Sequence, residues 1–442
     1  MRILLVELPV HIPTVMPYSV TMMKSVLKSS LDEEIIVLDL NAEYHHKKYK
    51  EFYEKSKKED YFEILGEFVK KTRRDYSKIS KTAVKGNLPE GHDELIKHIL
   101  SKKPEVVCIS LTYNSQLFFA SGIIDKLNEN NILVIVGGPA DKTKIKQKVM
   151  VLENYDLLIK KLVKMGAKQK EKMETSYLNF SDYDKDKYLT KKIVYPVRTA
   201  HSCPYKLCAF CTHHGNAKYE TISLDFIKES IEKNNMKKVF FIDDSFTKKR
   251  LLEIIGLMKD YKIEFWMQLR PEKYIIELLP ELYDAGLKGA AWGIESGCQR
   301  ILDFMQKGTK IKEIKDVLKK SHELGIKNTV YIMFGFPTET KEEFMETLMF
   351  LEDNKEYVDL VSPTIFGLQK GSRAFLHPDK FGIKNISYEK RTLLGEKINY
   401  ETSSGLTPSE VKSLKRKHIK QINHLNKVPK VINAAKEQIL NV

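Results

Sequence analysis

No stretch of this 442-residue chain is both uncharged and apolar for long enough to span a bilayer, so no helical membrane span is expected. The first residues, Met1 to Val6, form a short apolar run that Glu7 and Pro9 interrupt. That run lacks the length and the small-residue cleavage site of a signal peptide, so it reads as a first strand and the expected location is cytoplasmic. Internal repeats and low-complexity tracts are absent. None of the usual nucleic-acid recognition modules is present either. The net charge of +15 comes mainly from lysines in mixed runs such as Lys47-Lys48-Tyr49-Lys50-Glu51, the pattern of solvated helix faces. A basic surface attracts phosphate at any sequence, but nucleic acid is not the expected partner.

Cysteine is scarce, with five in all, and three of them fall within nine residues: Cys203-Pro-Tyr-Lys-Leu-Cys208-Ala-Phe-Cys211. An odd, clustered set argues against a disulfide framework and for a metal site. Cys108 lies in an apolar strand and reads as inert core. Cys298 begins a helix and is assigned no role.

What is present is an alternation of strands and helices. Strands are expected at 3–8, 35–40, 106–111 and 133–136, with helices at 20–29 and 120–128. A lysine- and glutamate-rich helical insertion runs from about 42 to 100. This pattern implies a doubly wound, Rossmann-like parallel sheet over residues 1–150. Residues 151–190 read as a linker. The alternation then resumes over 191–370, with strands expected at 193–198, 238–242, 263–268, 289–294, 328–334 and 360–366. Six such units make a partial (β/α)6 barrel. Residues 371–442 read as a helical, basic C-terminal region, a lid or docking element.

Three thiolates on one loop can each bind one iron of a 4Fe–4S cubane and leave the fourth iron open. The rival is zinc, with His213 or His214 completing a Cys₃His site. The loop opens a β/α array at the carboxyl end of its first strand, where such folds place their chemistry, and this favours the cluster. Pro204, Tyr205 and Phe210 would stiffen the loop and shield it from water.

Four segments taken in order carry a resemblance. They are Thr199-Ala-His-Ser-Cys203 through Cys211, Phe241-Ile-Asp243-Asp244-Ser245, Trp292-Gly293-Ile-Glu295-Ser296-Gly297 and Met333-Phe-Gly335-Phe-Pro337-Thr-Glu339-Thr340. With them the chain, from Met1 to about Pro378, resembles the radical S-adenosylmethionine (SAM) enzymes that carry an N-terminal cobalamin-binding domain. One departure is a loop variant: four residues, rather than the commoner three, separate the first two cysteines. The resemblance implies that Cys203, Cys208 and Cys211 hold the cluster. SAM would then chelate its open iron and be cleaved to a 5′-deoxyadenosyl radical.

By the same resemblance Asp243, Asp244 and Ser245 contact the amino group of SAM, Glu295 its ribose or methionine moiety, and Gly335 its adenine. The residues alone leave alternatives. Asp243 to Ser245 suit a strand end or helix N-cap. Glu295 suits an ion pair with Arg300 or Arg270, and Gly335 a tight turn. Gln268 and Arg270 face the same mouth, although an interior arginine is equally suited to a structural role.

Val136-Gly137-Gly138-Pro139 ends the first sheet as in the cobalamin domains of this group, which assigns Gly137, Gly138 and Pro139 to cobalamin. On its own Gly-Gly-Pro is a turn signal. The Asp-x-His-x-x-Gly box that supplies histidine to cobalt elsewhere is absent, so cobalamin is expected without a protein histidine. The acidic loop usual after Gly-Gly-Pro is replaced by Asn154-Tyr-Asp156-Leu-Leu, which leaves a degenerate domain open.

The implied activity is cobalamin-dependent C-methylation of an unactivated carbon in a peptide or other small-molecule natural product. An external electron donor such as flavodoxin or ferredoxin would be needed. The alternatives are a radical SAM enzyme without functional cobalamin, performing epimerisation or rearrangement, and a zinc-stabilised nucleic-acid-binding protein. Thiolation is disfavoured because only Cys108 and Cys298 remain for a further cluster.

Overall fold

The computed structural model describes every residue except 153, 173–175 and 214–216. The chain divides into two compact units. The first comprises 1–193 with 225–235 and 390–395, and the second comprises 194–224, 236–389 and 396–442.

The first unit begins β1 (Arg2–Glu7), α1 (Tyr18–Ser30), β2 (Glu34–Asp39). The helical insertion follows as α2 (Leu40–Lys48), α3 (Lys50–Lys55), α4 (Tyr61–Val84) and α5 (His92–Ser101), close to the 42–100 expected. Then come β3 (Val106–Ser110), α6 (Leu117–Glu129), β4 (Leu133–Gly137), β5 (Met150–Val151) and α7 (Tyr155–Lys164). Part of the stretch read as a linker therefore adds a short fifth strand and a helix. Its charged composition hid them, since only Leu158 and Leu162 of α7 are buried. The sheet is parallel in the order β2-β1-β3-β4-β5. That order reverses between β1 and β3, and open α/β sheets bind ligands outside the carboxyl ends at such a point. β3 is buried throughout, as a strand covered on both faces must be.

The second unit opens with β6 (Tyr195–Val197), which pairs with a later strand, and the short β7 (Ala200–His201) and β8 (Glu220–Thr221), which pair with each other. After α8 (Leu224–Lys233), most of which groups with the first unit, come β9 (Lys238–Phe241), α9 (Lys248–Lys259), β10 (Glu264–Leu269) and α10 (Lys273–Asp284). β11 (Leu287–Glu295), α11 (Gln299–Phe304), α12 (Ile311–Glu323), β12 (Lys327–Phe334), α13 (Lys341–Asp353) and β13 (Leu360–Ile365) complete the array. The six-stranded parallel sheet has the order β13-β12-β11-β10-β9-β6, an open (β/α)6 half-barrel as expected. Val239, Phe241, Phe265 and Met267 are buried on one face. Phe240 and Trp266 alternate with them on the opposite, bore-facing side, with ring centroids 4.7 Å apart.

The C-terminal region adds α14 (Arg373–Leu376), β14 (Ile383–Glu389), β15 (Lys397–Thr402) and α15 (Pro408–His424). β14 and β15 form an antiparallel hairpin that the helical reading did not contain. Two 3₁₀ turns, Lys430–Asn433 and Lys436–Asn441, end the chain. Among the described residues, no helix is long and apolar enough to cross a membrane.

Candidate active site

The three clustered cysteines lie on one loop between β7 and β8, whose antiparallel pairing closes the loop's base. Its path departs from ordinary backbone at Ser202 (φ 66°) and Lys206 (φ 57°), both left-handed and neither a glycine. The rest of the unit holds this path. Ala209 N–H donates to the Met305 carbonyl at 2.9 Å, and Ala374 N–H to the Ala209 carbonyl at 2.9 Å. The Tyr205 hydroxyl donates to the Gln306 carbonyl at 2.9 Å. Gly308 makes room for it, because a Cβ there would lie 2.2 Å from that hydroxyl.

Asp243 anchors the loop's entrance. It is buried, and its carboxylate accepts from Thr199 N–H at 3.0 Å, Thr199 Oγ1 at 3.0 Å and Ala200 N–H at 2.7 Å. The resemblance pointed this side chain at SAM; the structure turns it inward to the backbone that leads into the cysteines. Burial pushes its carboxyl up to about 6 against those hydrogen bonds.

Arg270 also serves the loop. Its Nη1 approaches Cys208 Sγ at 3.8 Å, Nη2 donates to the Lys307 carbonyl at 2.5 Å, and Nε pairs with Glu272 at 2.7 Å. The guanidinium stacks 3.5 Å from the Tyr205 ring centroid. Its carboxylate partner is thus Glu272, two residues on.

Glu295 pairs with neither arginine considered for it. Lys307 Nζ holds Glu295 Oε1 at 2.9 Å, while Arg300 binds Glu343. Glu295 is a non-glycine at φ 73°, left-handed backbone that costs about 1–3 kcal/mol and aims the carboxylate off the strand end. Gly293 leaves space for the pair, since a Cβ there would meet Lys307 Nζ at 2.8 Å. Lys307 also lies 5.8 Å from the Phe210 ring.

Asp244 Oδ1 meets His213 Nδ1 at 3.2 Å, and Gln268 Nε2 donates to the Asp244 carbonyl at 3.3 Å. Ser245 is buried. Gly335 N–H donates to buried Glu339 at 2.5 Å, and a Cβ on Gly335 would meet Val411 at 2.7 Å. The turn reading of Gly335 is therefore satisfied within the chain. Lys307 and Glu272 escaped the sequence reading, while Thr199 and Glu339 lay inside its motifs without a role; for Lys307 the local signal is the turn marked by Gly308.

The donors around the thiols suit a 4Fe–4S cluster. Burial pushes the Cys211 thiol up to about 11, so loading a metal must displace protons. Arg270 and the His213 N–H, 3.4 Å from Cys211 Sγ, supply positive charge and hydrogen bonds to sulfur, which tune such clusters. Among the described residues no three His, Cys, Asp or Glu side chains converge on a single ion, and a cubane, with one iron per thiolate, needs no such convergence. His213 is engaged with Asp244; His214 lies outside the described residues. Cys108 is buried in β3, its thiol pushed up to about 12, and Cys298 is the buried N-cap of α11.

In the first unit, Gly138 and Pro139 are exposed at the carboxyl end of β4, an accessible backbone edge that suits contact with a large ligand. The glycines are small for an internal reason, however. A Cβ on Gly138 (φ 97°) would meet the Leu111 carbonyl at 2.4 Å, and one on Gly137 would meet Leu152 at 3.2 Å. His11 has both ring nitrogens engaged, Nε2 with Glu7 at 3.2 Å and Nδ1 with Asn41 at 3.3 Å. It is not poised as a metal ligand.

Residues 197–351 match the family model described as the Radical SAM superfamily. Among curated proteins, an uncharacterised methyltransferase of Pyrococcus horikoshii is 24% identical over 327 residues, covering 63% of this chain and 70% of its own. The ribosomal protein uS12 methylthiotransferase RimO of Thermosipho melanesiensis is 23% identical over 230 residues, covering 47% and 53%. Among solved structures, the radical SAM methyltransferase TsrM of Kitasatospora setae aligns with a TM-score of 0.63 at 12% identity, over 96% of this chain and 89% of that one. The cobalamin-dependent radical SAM enzyme OxsB aligns at 0.62 and 14%, over 95% and 67%. At such identities the likeness to solved structures establishes the fold. Residues 197–351 thus carry a radical SAM domain, preceded by a Rossmann-like unit, and the chain has the fold of the cobalamin-dependent radical SAM enzymes.

Proposed function

We propose that this protein is a cobalamin-dependent radical SAM methyltransferase that methylates an unactivated carbon of a peptide or other small-molecule substrate. The observation that carries the reading is the cysteine loop: three thiols, braced by Asp243, Tyr205 and Arg270, beside the carboxyl ends of six parallel strands. The Rossmann-like unit, and the cobalamin bound in the TsrM and OxsB structures, support cobalamin as the second cofactor. When bound, the reduced cluster supplies the electron that cleaves SAM and cobalamin supplies the methyl group.

The chain's own residues bind and orient. Cys203, Cys208 and Cys211 hold the cluster. Asp244, held by His213, and Ser245 face the ammonium of SAM, and Glu295, held by Lys307, faces its ribose or methionine portion. Gly335 lends backbone to the adenine, while Gln268 fixes the Asp244 carbonyl. Gly138 and Pro139 border the cobalamin. The pairing of Tyr205 with Arg270 covers the cysteine loop and excludes water. Methylthiolation is not proposed although such enzymes are among the relatives, because Cys108 and Cys298 are buried in separate units and cannot build a second cluster.

Anaerobic reconstitution with iron, sulfide and excess hydroxocobalamin tests the reading by metal analysis and optical spectrum. Wild type should hold four irons and cleave SAM. Ala at Cys203, Cys208 or Cys211 should abolish both properties, and Ala at Cys108 or Cys298 should preserve them. Stoichiometric zinc without iron would overturn the assignment.

A further inference from the structure

The segment after α15 is not a lid. Residues 436–441 pack against β10 and β11. Ile439 is 2% exposed and lies where a Cβ on Gly289 would be 3.4 Å from its Cγ2 and 2.9 Å from Trp266. Trp266 marks the bore face, so Ile439 sits in the bore. Lower down, Lys238 donates to the Leu440 carbonyl at 2.5 Å and Lys327 to the Val442 carbonyl at 3.1 Å. Lys238 and Lys327 begin β9 and β12, which places residues 440–442 toward the amino ends of the strands. Asn433 Nδ2 meanwhile reaches the Val361 carbonyl of β13 at 3.0 Å. Val361 is the second residue of β13, so the segment crosses the amino ends of the strands, and the Lys436 side chain reaches from it up the bore to Tyr331.

Lys436 Nζ stands 4.2 Å from the centroid of Tyr331. Tyr331 is in register with Gly293, the glycine that makes room for the Lys307–Glu295 pair. Lys436 is thus within Coulombic range of Glu295, and of His213 on the cysteine loop. The buried Tyr331 hydroxyl and Trp266 indole N–H have no partner among the described residues, so this stretch of bore keeps polar groups beyond what the described fold uses.

The geometry points to Lys436 as a positioning residue of the SAM site: with Lys307 it orients Glu295, so that the carboxylate's remaining lone pairs face the adenosyl portion of SAM. A carboxylate offers about four acceptor positions, and Lys307 takes one. A second ammonium held over the Tyr331 ring sets the field without capping the carboxylate. Burial is the first cause lowering the Lys436 pKa, with Glu437 and Glu295 opposing it. This inference rests on the proposed role of Glu295 in SAM binding.

The test is a double-mutant cycle on anaerobically reconstituted full-length protein, reading the SAM Kd by equilibrium dialysis. Lys436→Met keeps the apolar stem and the packing against Tyr331; iron content and thermal melting check that it folds. Lys436→Met and Glu295→Gln should each weaken SAM by about 10-fold, and the double variant by about the same, because the two side chains act as a unit. Lys436→Arg, which keeps the charge and folds in the same space, should stay within about 3-fold of wild type. Independent losses multiplying to about 100-fold, an unchanged Kd in Lys436→Met, or an equal loss in Lys436→Arg would each overturn the role. Wild-type protein that loads iron yet fails to bind SAM would instead overturn the proposed function.

Discussion

Residue by residue, the clearest division is between side chains that touch the cluster loop and those left to face a ligand. Arg270 belongs to the first group: one guanidinium contacts Cys208 sulfur, the Tyr205 ring, the Lys307 carbonyl and Glu272. A cation donating to a cluster sulfur stabilises the more negative, reduced state. Arg270→Met should therefore keep four irons and shift the cluster's reduction potential to more negative values, read by redox titration with electron paramagnetic resonance. An unchanged potential would mean that the arginine only packs. The three cysteines stood out by their clustering, and the place of their loop in the β/α array favoured a cluster over zinc. The inward turn of Asp243 was not, because an aspartate at a strand end looks the same in sequence whether it faces ligand or loop. The same holds for Glu295, whose partner Lys307 lies twelve residues on, past a helix and a turn.

At the scale of elements, the six barrel strands and four of the five strands of the first sheet were readable because buried parallel strands are largely apolar runs. The β14–β15 hairpin was not, since β14 is mostly exposed and polar and the alternation of β15 extends over six residues only. The turn after β12 illustrates how one element stores a pH dependence. Glu339 is 1% exposed, accepts Gly335 N–H through one oxygen, and has its other oxygen unpartnered. Burial pushes its carboxyl up from 4.5 to about 8. A raised folded value means that the favourable contribution is complete below pH 4.5 and is lost as pH rises through about 8. The loss is on the order of 4 kcal/mol before any relaxation. Glu339→Gln keeps the acceptor for Gly335 and removes the charge. Its melting temperature should match wild type near pH 5 and exceed it by several degrees near pH 9. Equal melting curves at both values would show that the turn relaxes to hydrate the carboxylate.

For the whole molecule, the order of units along the chain was visible, while the boundaries moved: the supposed linker supplies β5 and α7, and residues 225–235 and 390–395 group with the first unit. Which segments pack together is decided in space, and no local pattern announces it. In the Rossmann-like unit, Gly137 and Gly138 are explained by Leu152 and Leu111. A bulky residue at Gly138 would strike the Leu111 backbone and disturb the loop itself, so it would report on folding. Pro139 is exposed and offers the cleaner probe. Wild-type protein reconstituted with excess hydroxocobalamin should retain corrin absorbance after desalting. Pro139→Arg should lower the retained corrin while iron and SAM binding stay at wild-type levels, since the cysteines lie in the other unit. His11→Ala should leave the corrin content unchanged, because both its ring nitrogens already serve Glu7 and Asn41. Absence of corrin in the wild type would remove the methyltransferase reading, yet the radical SAM assignment would stand, because the cysteine loop and its bracing residues belong to the second unit alone.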